Sequence, residues 1–240
     1  MQLLELTLDN PYENIALDEA LLETAEQNGV GPEILRLWHP HEPLVVMGRS
    51  SSISREVNLE YCHQKQIPVI RRCSGGASIV AGQGCLMYAV LLSYKKRPQL
   101  RMLEQAHQFV MSTTQSAIGS LGVSAEFQGT CDLTVNNLKF SGNALRCKKN
   151  WFIYHGTLLY GMNLELISDC LGIPGRQPAY RAGRSHAEFV GQVPVSANDL
   201  SLALIKTWDA HEPMIDWPQE LTTSLVAEKY SRKQWNHKVG

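Results

Sequence analysis

The chain has 240 residues, 44% hydrophobic and 19% charged, with a formal net charge of −1. That length suits one large domain with a sizeable core, and the ordinary composition excludes a disordered or low-complexity protein. Near neutrality denies it the massed cations of a sequence-independent nucleic-acid binder, though a local basic pocket for a small anion stays open.

The opening MQLLELTLDN carries Glu5 and Asp9 and no basic leader, and no later run reaches the length of a membrane span. The expectation is a cytoplasmic protein without membrane attachment. LLELTL (3–8) reads as a strand, and NPYENIALDEALLETAEQNG (10–29) as a helix. Ile15, Leu17, Leu21, Leu22 and Ala25 gather on one side of it, acidic residues load its early turns, and Gly29 ends it. EILRLW (33–38), LVVMG (44–48), IPVIRR (67–72) and CLMYAVLLSY (85–94) read as strands. LEQAHQFVMSTTQSAIGSLG (103–122) predicts a second helix, with Leu103, Ala106, Val110, Ala117 and Leu121 at helical steps before Gly122.

DLTVNNLKFSG (132–142) and WFIYHGTLLYG (151–161) are again strand-like. In the first, apolar and polar residues alternate on both sides of Asn136-Asn137, a pair that tolerates positive φ, which predicts a tight hairpin. SANDLSLALIKTW (196–208) opens with Ser196 and Asp199 at capping-box spacing, and PQELTTSLVAEKY (218–230) gives a last helix. Strands outnumber helices and hairpin-linked strands pair antiparallel, so the pattern predicts an α+β domain with a mainly antiparallel sheet. Six cysteines (Cys62, Cys73, Cys85, Cys131, Cys147, Cys170) form no C-x-x-C pair, and His63 beside Cys62 lacks the spaced partners of a zinc site. They read as reduced thiols.

Two stretches carry candidate chemistry. Arg71 and Arg72 close the buried IPVI strand, and CSGGAS must then turn the chain. Bare glycine backbone exposes main-chain N–H groups, and a guanidinium binds two oxygens at once, so the turn suits a phosphate or carboxylate. An ordinary Gly-Gly turn is the plainer reading of the local pattern. It is not a Walker loop, and Gly82 and Gly84 lack the third glycine and the helix of a dinucleotide site. On the hairpin's return arm, Lys139 stands just before Ser141 and Gly142, and YHGTLLYG sets His155, Gly156 and Thr157 opposite if the arms pair, making a pocket floor. Taken singly, the lysine reads as solvated and the histidine as structural. No Ser-His-Asp order, H-E-x-x-H or G-x-S-x-G supports hydrolysis. YRAGRSHAEFV holds Arg181, Arg184 and His186 in a loop that would close over the site, face an acidic carrier, or lie solvated.

Together these segments resemble the lipoate-protein ligase and octanoyltransferase family, relatives of biotin ligase. NIALDEALL is similar to the family's first helix, RRCSGGAS to its arginine and glycine loop, DLTVNNLKFSGNALR to its lysine strand, and HGTLL to the strand that follows. AEKYSRKQWN resembles the end of its catalytic domain, and the G-R-G-R loop of biotin ligases is absent. The resemblance implies an α+β fold of the class II aminoacyl-tRNA synthetase and biotin ligase type, with a mainly antiparallel or mixed sheet and flanking helices. It implies one catalytic domain over 1–240 without a C-terminal accessory domain.

The activity so implied joins lipoate or octanoate to AMP from ATP and passes the acyl group to a lysine of an apo lipoyl carrier domain, with no tightly bound cofactor. Arg72 and the backbone of Gly75, Gly76, Ala77, Ser78, Ile79 and Val80 would hold the nucleotide, with Lys139 neutralising charge where carboxylate meets α-phosphate. Arg72, Ser74, Gly76, Lys139, Gly142, Ala144, His155, Gly156 and Thr157 would surround the acyl group. Mg²⁺ would come with ATP, and Asp132 is the nearest carboxylate to it.

The chain departs from the family pattern in its loop, where Ala77 replaces a third glycine and IVAGQGC lacks the usual histidine, aspartate and asparagine. Three readings follow. A ligase, with a separate accessory subunit as an option, is favoured because the lysine and arginine motifs are intact. An ATP-independent octanoyltransferase would use a thioester on Cys131, which otherwise reads as a small buried thiol. The third is a non-catalytic module that binds lipoyl or acyl carriers.

Overall fold

The structure, a computed structural model, describes residues 1–237. In chain order its elements are β1 (Gln2–Glu5), α1 (Pro11–Asn28), β2 (Ile34–Trp38), β3 (Leu44–Met47), α2 (Ile53–Glu56), α3 (Leu59–Gln64), β4 (Val69–Arg71), β5 (Ile79–Ala81) and β6 (Cys85–Ser93). There follow α4 (Leu103–Gly119), β7 (Glu126–Gln128), β8 (Asp132–Val135), β9 (Leu138–Cys147), β10 (Trp151–Leu159), α5 (Glu165–Cys170), α6 (His186–Phe189), α7 (Ala197–Thr207), β11 (Glu212–Pro213), α8 (Gln219–Leu225) and α9 (Lys233–Asn236).

The run Cys85–Ser93 has no polar face, so a strand made from it must be covered on both sides, and all nine residues are buried. It lies inside an eight-stranded sheet of order β11-β1-β2-β6-β10-β9-β8-β7. The sheet is mixed: β1 pairs in parallel with β2 and β11, and the β2-β6-β10-β9-β8-β7 run is antiparallel. Alternation along β10 assigns its two faces. Trp151 and Ile153 join Leu17, Ala20 and Leu21 of α1, whereas Phe152, Tyr154 and Leu158 join Val110 of α4 and Leu204 of α7. A separate sheet of order β4-β3-β5 carries the glycine loop between β4 and β5.

The α+β expectation and its mixed sheet hold. The hairpin predicted at Asn136-Asn137 joins β8 to β9, with φ of 52° and 60° at those residues. Its register slips by one between Leu133 and Thr134, so Ser141 pairs with Leu133, Lys139 with Thr134, and Phe140 is the extra residue. Such a bulge re-aims neighbouring side chains. Helix α1 starts as its sequence requires, with Asn10 accepting from Tyr12 N, Pro11 in the first turn, and Gly29 at φ 71° as the C-cap. At α7, Ser196 accepts from Asp199 N as a cap, but the Asp199 carboxylate reaches only the Ser196 hydroxyl (2.7 Å). The shorter aspartate side chain stops short of the backbone N–H that a glutamate reaches in a capping box.

Arg71 belongs to the scaffold. At 1% exposure it donates to the carbonyls of Gly48 (2.9 Å), Ser51 (2.8 Å), Trp235 (3.0 Å) and Asn236 (3.1 Å). Asn236 in turn accepts from Arg71 N (2.8 Å) and donates to Tyr230 O (2.6 Å). The AEKYSRKQWN segment is thereby fastened beside the root of the glycine loop. Asn236→Ala removes the acceptor from Arg71 N and the donor to Tyr230 O, so we expect a loss of about 1–3 kcal/mol in denaturant titrations. An unchanged midpoint would show that this clasp contributes nothing.

Candidate active site

The glycine loop is shaped from beneath. Arg72, 8% exposed, turns its guanidinium into the loop it precedes. Nε donates to Ser74 Oγ (3.0 Å), Nη1 to Val46 O (3.1 Å), and Nη2 to both Gly75 O and Ala77 O (3.1 Å to the latter). Arg49 N donates to Ser74 O (2.8 Å), and Ser51 Oγ to Gly76 O (3.2 Å). The four carbonyls of residues 74–77 are therefore turned toward the protein. In a trans peptide the N–H points opposite to the C=O, so the following amides turn outward. That of Ser78 donates to Glu56 Oε2 (2.8 Å), which also accepts from Ser78 Oγ (2.9 Å). Those of Gly75, Gly76 and Ala77 have no acceptor among the described residues and form an anion-ready cradle.

Gly76 has φ 88°, and a Cβ on Gly48 would stand 1.7 Å from Gly76 O, so the loop needs glycine at both positions. Ala77 is outside the left-handed region, which explains why alanine is tolerated there.

Lys139 faces this loop across a shared cavity. Its Nζ lies 2.8 Å from Asp132 Oδ1, while Asp132 Oδ2 accepts from the Tyr180 hydroxyl (2.7 Å). The lysine side chain is 27% exposed and crosses Gly142, where a Cβ would come within 2.8 Å of Cε. It is not the solvated lysine of an ordinary strand. Val190 forms a bridge with Lys139, and Gly191 N donates to Lys139 O (2.9 Å), so the segment after α5 grips the same residue.

Two cavities meet here. One, about 620 Å³, is walled by Ile15, Val46, Met87 and Ala144, with Asp18, Arg72 and His155 among its polar lining. The other, about 710 Å³, runs toward Leu159, Ile167, Arg181 and Phe189. They share Ala77, Ser78, Ile79, Lys139, Gly142 and Thr157. Gly76, Ala144, His155 and Gly156 line the first, and Val80 the second. The pairing expected across the arms is present, with His155 opposite Ala144 and Gly156 opposite Asn143.

Four expected residues line neither cavity. Ser74 is buried beneath the loop and Gly75 is exposed at its rim. Cys131 donates its thiol to Asn143 O (2.8 Å), and burial, with Asp132 next to it, pushes that thiol up to about 11. This is the state of a structural cysteine, not an activated nucleophile. Asp132 spends both carboxylate oxygens on Lys139 and Tyr180, and no group of three or more metal-ligating side chains occurs among the described residues. Asp132 thus serves as the counter-ion that parks the lysine.

Several participants escaped sequence reasoning. Asp18 of α1 binds Arg36 (2.7 Å) and His155 Nδ1 (2.7 Å), and His155 Nε2 meets Ser74 Oγ (2.6 Å). Ser74 Oγ, which accepts from Arg72, shares a hydrogen bond with His155 Nε2, and His155 Nδ1 shares one with Asp18. Asp18, His155 and Ser74 thus align as a hydrolytic triad would, but a 1%-exposed hydroxyl engaged by Arg72 has no access to a substrate. Burial opposes the Asp18 carboxylate, yet Arg36 and His155 outweigh it and hold its pKa below 3.8. Asn143 donates to Cys131 O (2.8 Å) and accepts from the Tyr88 hydroxyl, in a space that a Cβ on Gly156 would occupy. The loop of Arg181, Arg184 and His186, read as closing over the site, facing an acidic carrier or lying solvated, puts Arg181 and His186 in the wall of the second cavity, with both arginines over the ring of Phe189. Arg184 donates to the carbonyls of Tyr180, Arg181 and Asn137.

A family model of the lipoyl protein ligase A/B catalytic domain matches residues 10–204. The chain belongs to that family. A putative lipoate-protein ligase A of Aeropyrum pernix is 32% identical over 157 residues, 65% of this chain and 56% of that protein. The chain spans about half the length of the first curated relatives it matches. Among solved structures, a bi-partite lipoate protein ligase studied with its E2 lipoyl domain, from Thermoplasma acidophilum, superposes with TM-score 0.84 at 24% identity, covering 98% of this chain and 95% of that one. A lipoate-protein ligase A bound with ATP superposes at 0.79 with 22% identity, covering 98% of both. At these identities the superpositions establish the lipoate-protein ligase fold. No helix among the described residues is long and apolar enough to cross a membrane.

Gly48→Ala drives a Cβ into Gly76 O, and since backbone must move, we expect about 1–3 kcal/mol of destabilisation together with loss of anion binding at the loop; a variant that keeps both would refute the tight crossing. Asp18, with its lowered pKa, contributes stability that is complete above pH 3.8 and lost as pH falls through the depressed value. Asp18→Asn removes that acid limb, so wild type should lose more stability than the variant between about pH 5 and about pH 3 in denaturant titrations. Parallel losses would contradict the assignment.

Proposed function

We propose that this chain is a lipoate-protein ligase catalytic domain that activates lipoate or octanoate with ATP and transfers the acyl group to a lysine of an apo lipoyl carrier domain. The observation that carries the reading is the junction of the two cavities, where outward amides of the glycine loop and the Lys139 ammonium face one space. The apolar cavity suits the acyl chain, with its carboxylate directed to the junction. The second takes the nucleotide, as ATP binding by a structural neighbour supports. Mg²⁺ would come with the triphosphate and would supply charge neutralisation; Asp132, engaged by Lys139 and Tyr180, does not fit the part of its ligand.

The chemistry brings a carboxylate against an α-phosphate, and two anions must be neutralised together. Lys139 leaves Asp132 for the reacting oxygens, while the N–H groups of Gly76 and Ala77 hold the phosphate in place. The Arg72 guanidinium acts at one remove, by keeping loop carbonyls away from the anion. The carrier lysine then attacks the acyl carbonyl and releases AMP. The bi-partite neighbour and a relative named as subunit 1 of a lipoate-protein ligase A support a separate accessory subunit acting with this chain. Transfer through a Cys131 thioester is disfavoured by the bonded, protonated state of that thiol.

Incubation with apo lipoyl domain, lipoate, ATP and Mg²⁺ should add one lipoyl mass, and omission of ATP should abolish it. A gain only from octanoyl carrier protein without ATP, lost in Cys131→Ser, would replace the ligase by a transferase. Lys139→Met should lower acyl-adenylate formation at least about tenfold, since a charged hydrogen bond is worth about 1.5–3 kcal/mol; full activity would remove the lysine from the reaction.

A further inference from the structure

The second cavity has an unusual charge balance. Lys139, Arg176 and Arg181 line it, and no aspartate or glutamate does. Arg181 is 3% exposed, and its Nη2 is buried without a hydrogen-bond partner. Among the described residues only its Nε is engaged, donating to Arg184 O (2.9 Å), while the guanidinium carbon lies 4.7 Å from the Phe189 ring centroid. Arg184 approaches the same ring at 5.2 Å, adding like charge, and no carboxylate pairs with Arg181 among the described residues. A buried cation without a counter-ion is costly, and packing on Phe189 would be served as well by an uncharged side chain. The missing anion must therefore arrive with a ligand. His186 also lines this cavity; burial lowers its pKa, and its Nε2 donates to Gly172 O (3.2 Å).

We propose that the Arg181 wall of the second cavity receives the β- and γ-phosphates of ATP and holds them as the departing pyrophosphate. The proposal rests on the ligase reading above and deepens it. A carboxylate oxygen from the acyl cavity forms a bond to the α-phosphorus as the bond from that phosphorus to the bridging oxygen of the β-phosphate breaks. The products are acyl-adenylate and pyrophosphate, with no proton or electron left over. In-line displacement sends the leaving group away from the entering oxygen. The entering oxygen comes from the acyl cavity, so departure leads across Lys139 into the cavity that ends at Arg181. The planar fork of arginine suits two phosphate oxygens, and a lysine at 181 would supply charge without that fork.

Arg181→Lys and Arg181→Met test this, the lysine variant retaining the stem and charge if the methionine variant fails to fold. Inhibition of acyl-adenylate formation by added pyrophosphate should weaken about tenfold in either variant, as expected for one lost charged hydrogen bond. Transfer of the lipoyl group from pre-formed lipoyl-AMP to the carrier, which involves no pyrophosphate, should fall less than acyl-adenylate formation does. Unchanged pyrophosphate inhibition overturns the proposal. Equal weakening of pyrophosphate and AMP also overturns it, since Arg181 would then only shape the pocket. If wild type makes no acyl-adenylate, the ligase reading fails by itself. Calorimetric titration of pyrophosphate into wild type and Arg181→Lys then still decides whether the anion site exists.

Discussion

The site depends on the grip of Arg72 on the carbonyls of Gly75 and Ala77. Burying a guanidinium costs several kcal/mol, and hydrogen bonds to a charged group return about 1.5–3 kcal/mol each. Four such bonds make the arrangement affordable and fix the loop in one orientation. Burial still lowers the Arg72 pKa to about 10, so the residue stays charged at neutral pH. Trans peptide geometry then converts inward carbonyls into outward amides. Without this grip, loop oxygens would be free to face the phosphate and repel it. The positive character of the cradle therefore comes from backbone dipoles, with Lys139 as the mobile charge.

The other half of the site is organised around that lysine. Asp132 holds the ammonium, Tyr180 holds Asp132, and Val190 and Gly191 hold the lysine backbone. The segment that walls the second cavity is thus attached to the reacting cation at both side-chain and main-chain level. On the acyl side, α1 reaches the glycine loop through Asp18, His155 and Ser74. Glu56 of α2 fixes Ser78 and accepts, through its backbone carbonyl, from Gly172 N (3.1 Å), so one short helix braces walls of both cavities.

Local chemistry was legible wherever one element decided the outcome. The Asn136-Asn137 hairpin, the Gly29 end of α1, the bare backbone at Gly75 and Gly76 and the placement of His155 beside Ala144 all follow from pattern and turn preference. In the small sheet β3 and β4 were read as strands, but β5, only three residues long, was not, and the sheet's separation from the main one depends on long-range pairing that periodicity does not encode. β7 and β11 are too short, at three and two residues, to show a period. Asp18, Glu56, Asn143 and Tyr180 each act on a residue distant in sequence, so nothing near them in the chain marked their role. Arg72 was recognised as central, but a guanidinium turned toward its own loop and one turned toward a ligand look alike in sequence.

The central claim, that the amides of Gly75, Gly76 and Ala77 present themselves to the phosphate at the Lys139 junction, is open to direct observation by amide NMR. Titration with a non-hydrolysable lipoyl-adenylate analogue should shift the Gly76 and Ala77 amide protons downfield and slow their exchange, with Gly75 following at the rim. Shifts confined to other parts of the chain, with those amides unchanged at saturation, would contradict the account.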